Sequence, residues 1–499
     1  MSTTTSVTSV TTGSCPMPGH GETAPQMTAL GAVAESYDQL HRIDLIAQAR
    51  ADRGVASGSY ESFVCAIFQA ADVALLNLSR LADRTAAAVD RGDIATAARY
   101  AQWSVGFHRL LRHFGVAQFD ARSAFGARPG PDTITVSIAD SRSYRTFVDA
   151  AGRLDAVVNR VLLQPQQTAI RETIATKSID DSLYIFLHCL RTVSHDATKW
   201  ERDLTDVAIR SDRPRSVDEL TSAHVLDEAV SATELNSATL HGEFVALHQI
   251  PEILCAEAND HLEMAIRAIR VSALSEAAEY LSSCRKLLIP VVESQRVMAE
   301  LLATGEYHGF RENLGPASGT HSLAIKQHMF RDLFKCFWND MQAWLQTLGE
   351  GNLAEVIRET QQNRHRDARM WLRHSVIDEG SRLHNVHQQW RHEHLHMPRN
   401  CLGSGGTKSM IGVPDGPLAV YKMRDAANSQ RSLVAVHAAR GVSLANSVPD
   451  SPLVNAITGD DSVDGVLMRL VGEATREYFP EVQDQGYKPF HSTAPERKP

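Results

Sequence analysis

The chain has 499 residues, 43% of them hydrophobic, with 50 basic and 59 acidic side chains and a formal net charge of −9. That balance argues against a protein held on nucleic acid by a basic face, while the apolar content is ordinary for a globular chain. No apolar run suggests a membrane span, the N-terminus lacks the basic start and apolar core of a secretory signal, and the seven cysteines are scattered, which suits a cytoplasmic protein better than a disulfide framework.

Residues 1–35 are rich in Ser, Thr, Pro and Gly and are expected to form a disordered tail. From about residue 36 apolar residues recur at three and four, which predicts helices. Ser59–Asp90 and Ile94–Phe114 read as two long amphipathic helices joined at Asp90-Arg-Gly-Asp93. The stretch Gly126–Asp132 breaks the pattern, and β-branched ITVSI after it reads as a short strand. Residues 143–210 return to a helical pattern, and Ser211–Ser216 reads as a connector. The predicted division is a helical first half over 36–230, a second domain over 235–482 and a flexible tail over 485–499.

Residues 235–300 echo residues 55–120 in one gapless register. Gln69 falls on Gln249, Asp72 on Glu252, Ala97-Ala98 on Ala277-Ala278 and Tyr100 on Tyr280. The agreement leaves two readings open, a degenerate duplication or two alanine-rich hairpins alike by chance. Phe68 stands where His248 stands, so a repeat would make the first copy structural and the second functional. Helices are expected again at His321–Leu348 and Leu353–His396, then turns (GSGG, PDGP), and a last helix at Asp464–Tyr478. The fold class expected is all-α.

Three stretches carry chemistry. In Glu243–Glu252, Phe244 and His248 are one helical turn apart and share a face, as residues lining a pocket would; a buried histidine satisfied by a carbonyl is the plainer alternative. Pro251 inside this helix predicts a kink. In Tyr307–Gly319, Tyr307 and Arg311 are one turn apart, and an arginine there can grip a carboxylate with two parallel hydrogen bonds; a surface arginine before a glycine-rich cap is the alternative. In Trp390–Ile411 a histidine-rich helix end meets a glycine-rich loop, and seven of the 22 histidines lie between His365 and His396. His392-Glu393-His-Leu-His396 formally reads HExxH, a zinc site with Glu393 as general base. Pro398 and the glycines are expected to end that helix at once, and a solvated histidine-rich helix explains most of the run.

Taken in order, these stretches resemble tryptophan 2,3-dioxygenase and its haem-dependent relatives. That family pairs a His-Gln-x-x-Glu helix with a phenylalanine one turn earlier, which His248, Gln249, Glu252 and Phe244 match. Its Tyr-x-x-Phe-Arg and Leu-Gly-Pro-Ala-Ser-Gly signature matches Tyr307, Phe310, Arg311 and Leu314–Gly319. Its Trp-Arg-x-x-His-x-x-Met matches Trp390, Arg391, His394 and Met397, and its glycine loop is similar to Gly403–Thr407 with Ser and Thr exchanged. A final Phe-Pro-Glu stands at Phe479–Glu481. The resemblance covers roughly 235–410. The span from Arg311 to His394 is short for the family, the glycine loop follows His394 closely, and Pro398 replaces an apolar residue. The loop is similar to that of the monodechloroaminopyrrolnitrin synthase branch, which points to specialised metabolism.

The resemblance implies a helical haem-dioxygenase-like bundle carrying haem b with His394 as proximal iron ligand, and Arg391 and Gly405 at the cofactor. It implies an aromatic amino acid, tryptophan or a derivative, with its carboxylate on Arg311 and its ammonium near Ser404 or Thr407. Phe244 and Tyr307 would wall the ring, and His248 would hydrogen-bond the indole N–H, a phenol or iron-bound oxygen. The parent reaction cleaves the C2–C3 indole bond with O₂; hydroxylation, ring rearrangement, N-oxidation and haem binding without turnover remain alternatives. Cys401 admits a haem thioether, against a plain free thiol. The family is usually tetrameric, with N-terminal segments completing a neighbour's pocket. A fused first half could supply that neighbour within one chain, so a homodimer is expected.

Overall fold

The computed structural model describes residues 37–124, 133–163, 181–204, 207–210, 215–231, 241–302, 322–349 and 352–402. Among the described residues the fold is all-α apart from one two-stranded ribbon. Two short helices, α1 (Tyr37–His41) and α2 (Ile43–Ala51), lead into the long hairpin α3 (Tyr60–Asp90) and α4 (Ile94–Ala124). Strand β1 (Thr133–Val136), α5 (Arg142–Leu163) and α6 (Asp181–Asp203) follow, then β2 (Val207–Arg210), antiparallel to β1 with Thr133 opposite Arg210. A second pair of short helices, α7 (Val217–Thr221) and α8 (Ala223–Ser231), leads into a second long hairpin, α9 (His241–Arg270) and α10 (Leu274–Leu301). A π-helix (Leu323–Asp332) runs into α11 (Leu333–Gln346), followed by α12 (Leu353–Gln362) and α13 (Ala368–Leu402).

Local chemistry explains the boundaries. Ser59 starts α3 by accepting the Ser62 N–H at 3.0 Å, and reciprocal capping boxes open α7 (Ser216 with Glu219) and α12 (Asn352 with Glu355). The α3–α4 turn uses Gly92 at φ 75, a left-handed conformation that glycine adopts without strain. By length and composition α3 could cross a bilayer, but its apolar surface is inside the protein. Its core residues Phe63, Ile67, Phe68, Leu75 and Leu78 are each no more than 1% exposed.

Several boundaries differ from the sequence expectation. Val207–Arg210 is a strand, because its partner at residues 133–136 lies far away in sequence and a four-residue run carries no period of its own. The expected helix from residue 321 begins as a π-helix. The expected helix from Leu353 is two helices, broken between Gln362 and Ala368. Pro398 does not end α13, which continues to Leu402.

The element bounds recur in the register that sets Gln69 on Gln249. In that register both ends of α1 fall on the ends of α7, and both ends of α2 on those of α8. Asp90, the last residue of α3, falls on Arg270, the last of α9, and Ile94, the first of α4, falls on Leu274, the first of α10. The left-handed residues pair in the same way, Arg42 (φ 51) with Ser222 (φ 53) and Gly92 (φ 75) with Ser272 (φ 58). Charged ties also recur with signs exchanged, Arg160 to Asp90 at 2.5 Å and Arg270 to Asp340 at 2.7 Å.

The two hairpins cross where α3 meets α9. The helices run antiparallel: Ser62 and Arg53 reach Glu257 at 2.5 and 2.8 Å, and Arg84 reaches Glu243 at 2.7 Å. Each long helix receives the short leading helix of the other half. Gln69 on α3 donates from Nε2 to Ala49 O (2.9 Å) in its own half and to Thr221 O (3.0 Å) on α7. Gln249 on α9 donates to Ala229 O (3.4 Å) in its own half and to His41 O (3.1 Å) on α1. Each donor and each acceptor in one set is the counterpart of one in the other, so a single exchange of leading helices is made twice.

Candidate functional site

The exchange brings α1 onto the face of α9 that carries Phe244 and His248. His248 Nδ1 lies 2.9 Å from the Phe244 carbonyl. A carbonyl can only accept, so Nδ1 bears the proton and Nε2 is left as a bare acceptor. Burial lowers the His248 pKa to about 4, against an upward pull from that carbonyl. Part of the side chain nevertheless stays accessible. Together these describe a neutral, mostly buried imidazole satisfied at Nδ1 by a carbonyl, which is the plainer of the two sequence readings, with Nε2 left unprotonated. The Phe244 ring packs on it at 4.4 Å between centroids.

Pro251 has no N–H for the Leu247 carbonyl, one turn back. Ser294 Oγ on α10 donates to that carbonyl instead, at 3.2 Å. The proline is thus satisfied by the neighbouring helix just below His248.

Helix α1 closes the cluster from the first half. Tyr37 Oη donates to Glu252 Oε1 at 2.7 Å. The His41 ring stacks on His248 with centroids 4.6 Å apart and planes 27° apart, and Tyr37 meets His248 edge-on at 6.2 Å. Burial raises the Glu252 pKa to about 7, against hydrogen bonds from Ser322 and Tyr37. Ser322 immediately precedes the π-helix, so one buried carboxylate ties α9, α1 and the start of that helix together. Sequence reasoning missed Tyr37 and His41. Nothing local marks Tyr37-Asp-Gln-Leu-His41; the available signal was the register that sets His41 against Thr221.

The histidine-rich stretch lies along α13, which packs on α10. Arg296 on α10 holds Glu393 through Nη2 at 2.9 Å and Nε at 3.1 Å. Arg296 also meets Glu293 at 2.9 Å, and Glu293 receives Arg109 of α4 at 3.0 Å. Glu393, the general base of the HExxH reading, is thus paired with a guanidinium. The His396 side chain lies outside the described residues. Among the described residues no group of three or more His, Cys, Asp or Glu is placed to hold a metal ion.

Arg391 is 9% exposed, its Nε donates to His387 Nδ1 at 3.3 Å, and burial lowers its pKa to about 10. The His387 ring lies flat on Phe334 at 3.7 Å, and burial with the neighbouring Arg391 charge holds it neutral. His394 is half-buried with its ring 4.7 Å from Trp390.

The structure thus joins Phe244, His248 and Glu252 with Tyr37 and His41, and places Arg391 and His394 on α13, across α10 from α9. Tyr307, Arg311, Ser404, Gly405, Thr407 and Cys401's side chain lie outside the described residues, as do Asp464–Tyr478 and Phe479–Glu481. The chain matches no protein-family model and no curated protein.

The haem test turns on donor chemistry. A haem needs one axial imidazole and cations for its carboxylates, whereas zinc takes three or four protein ligands. Of these, the described residues hold one half-buried imidazole, His394, and three residues earlier a buried guanidinium, Arg391, that is bonded to His387.

Proposed function

We propose that the chain is a haem-dependent oxygenase acting on an aromatic amino acid, tryptophan or a derivative, in specialised metabolism. The observation that carries this reading is His248: neutral, protonated on Nδ1, and presenting a bare Nε2 among Phe244, Tyr37 and His41. Such a site accepts a polar N–H or O–H from a flat apolar ligand, which is the chemistry of an indole.

In this reading His394 holds the iron of haem b, and Arg391 and Gly405 serve the cofactor. The haem, when bound, supplies O₂ activation. The chain's own residues orient and shield. His248 Nε2 accepts the indole N–H, while Phe244 and Tyr307 wall the ring. Arg311 takes the carboxylate, and Ser404 or Thr407 the ammonium. Tyr37 and His41 exclude water from behind His248. We also propose that the first half is a degenerate second copy that stands in for a neighbouring subunit, in a cytoplasmic homodimer without membrane or nucleic-acid partners.

The test is absorbance of protein purified from cells fed a haem precursor, before and after dithionite and then with L-tryptophan. A Soret band that shifts on reduction and again with tryptophan supports the reading. A band indifferent to tryptophan keeps the haem and removes that substrate. Absence of the band removes the haem reading.

A further inference from the structure

We propose that His41, carried by the first half, is the positioning residue for His248. Its ring holds the His248 imidazole in the plane that keeps Nδ1 on the Phe244 carbonyl and turns Nε2 to a ligand's N–H or O–H. This rests on the reading that His248 meets a ligand directly.

The molecule contains its own control. The crossing of α7 on α3 repeats that of α1 on α9 with the same glutamine bonds and a carboxylate at the same place. Asp72 accepts from Ser143 as Glu252 accepts from Tyr37. In that first cradle Thr221 replaces His41 and Phe68 replaces His248, and both are buried. This crossing is therefore filled by a phenylalanine and by a threonine whose hydroxyl bonds within the cradle, to Val217 O and Asp72, with no ring at Thr221 and no polar one at Phe68. Two imidazoles in their place bring polar nitrogens into the interior, which is costly unless something polar is met there. They also occur as a pair: the half with the acceptor histidine is the half that receives His41.

The geometry explains the pairing. The second torsion of a histidine is broad, so a helix alone does not fix the ring plane. The Phe244 carbonyl sets one edge of the ring, and the His41 face at 4.6 Å sets its plane. His41 is itself held by its own carbonyl, which accepts from Gln249, the residue after His248.

The experiment uses full-length protein labelled with ¹⁵N-histidine, with the His248 signals assigned by their loss in His248→Gln. Wild type is expected to show Nδ1 protonated and Nε2 bare. In His41→Thr, which installs the first half's residue, both tautomers should appear and L-tryptophan should bind about three- to tenfold more weakly. His41→Phe, which keeps a ring face, should retain the single tautomer and an affinity within about twofold. A single Nδ1–H tautomer in His41→Thr would overturn the proposal and leave His41 as packing. Should His41→Thr fail to fold, His41→Leu supplies volume without a ring face and is judged the same way. If wild type does not bind L-tryptophan, the substrate reading fails, while the tautomers of the ligand-free protein still decide the role of His41.

Discussion

The two cradles differ in what a shared scaffold surrounds. On α3 the successive inward turns are Val64, Phe68 and Asp72; at the matching positions of α9 they are Phe244, His248 and Glu252. The glutamine beside them makes equivalent bonds in both, and each carboxylate receives a side chain from the crossing short helix or the next serine. Gln69, Gln249, Asp72 and Glu252 therefore belong to the bolt between halves, and a role for Glu252 in chemistry is not needed to explain it. What distinguishes the second cradle is its ring content: Tyr37, His41, Phe244 and His248 occupy space that Val217, Thr221, Val64 and Phe68 fill in the first.

The contrast is broken most severely at its seam. Arg53 and Glu257 are 2% and 1% exposed and face each other at 2.8 Å across the two halves. Arg53→Met leaves Glu257 charged and buried, and should lower the unfolding free energy by about 3–5 kcal/mol in urea denaturation. Loss below about 1 kcal/mol would mean the halves are held elsewhere.

The cradles also predict one haem per chain. His394→Ala should abolish the Soret band, and iron content in wild type should stay near one per chain; two would give the first half a site of its own. Next in size, Arg311→Ala should weaken L-tryptophan binding by about 1.5–3 kcal/mol while haem content is kept, because a charged hydrogen-bonded contact is lost. Isothermal titration reads this directly.

A subtler test uses the opposed shifts within the second cradle. His248 is lowered to about 4, so between pH 4 and 6.5 the unfolded chain binds more protons there and stability rises with pH. Glu252 is raised to about 7, so between its ordinary value and pH 7 the folded chain binds more protons and stability falls with pH. The two slopes oppose each other over their shared window. In Glu252→Gln the fall is removed, and denaturation midpoints from pH 4.5 to 6.5 should climb more steeply than in wild type. An unchanged slope would place the Glu252 carboxyl at its ordinary value.

The smallest effect is expected at the exchanged surface ties. Asp90–Arg160 is more than half exposed on both sides, so Asp90→Asn should change stability by no more than about 1 kcal/mol.

Much of the fold was legible from local pattern. The α3–α4 hairpin and its turn follow from apolar spacing and from Gly92. The register between the halves was visible in Gln69 and Gln249 because both must satisfy two carbonyls of crossing helices. Phe244 and His248 could be paired on one face because a helix turn brings them there whatever surrounds it. Tyr37 and His41 could not, since their partners, Glu252 and Gln249, lie in the other half of the chain.

By itself the sequence determined the helices, their long hairpins and which residues share a face, because these depend on short-range periodicity and capping. The tertiary structure decided which half faces which. It set α1 on α9 rather than on its own α3, gave Glu393 to Arg296, and carried α13 past Pro398. These outcomes depend on which buried polar groups find partners across the fold, and that is settled only when distant helices pack.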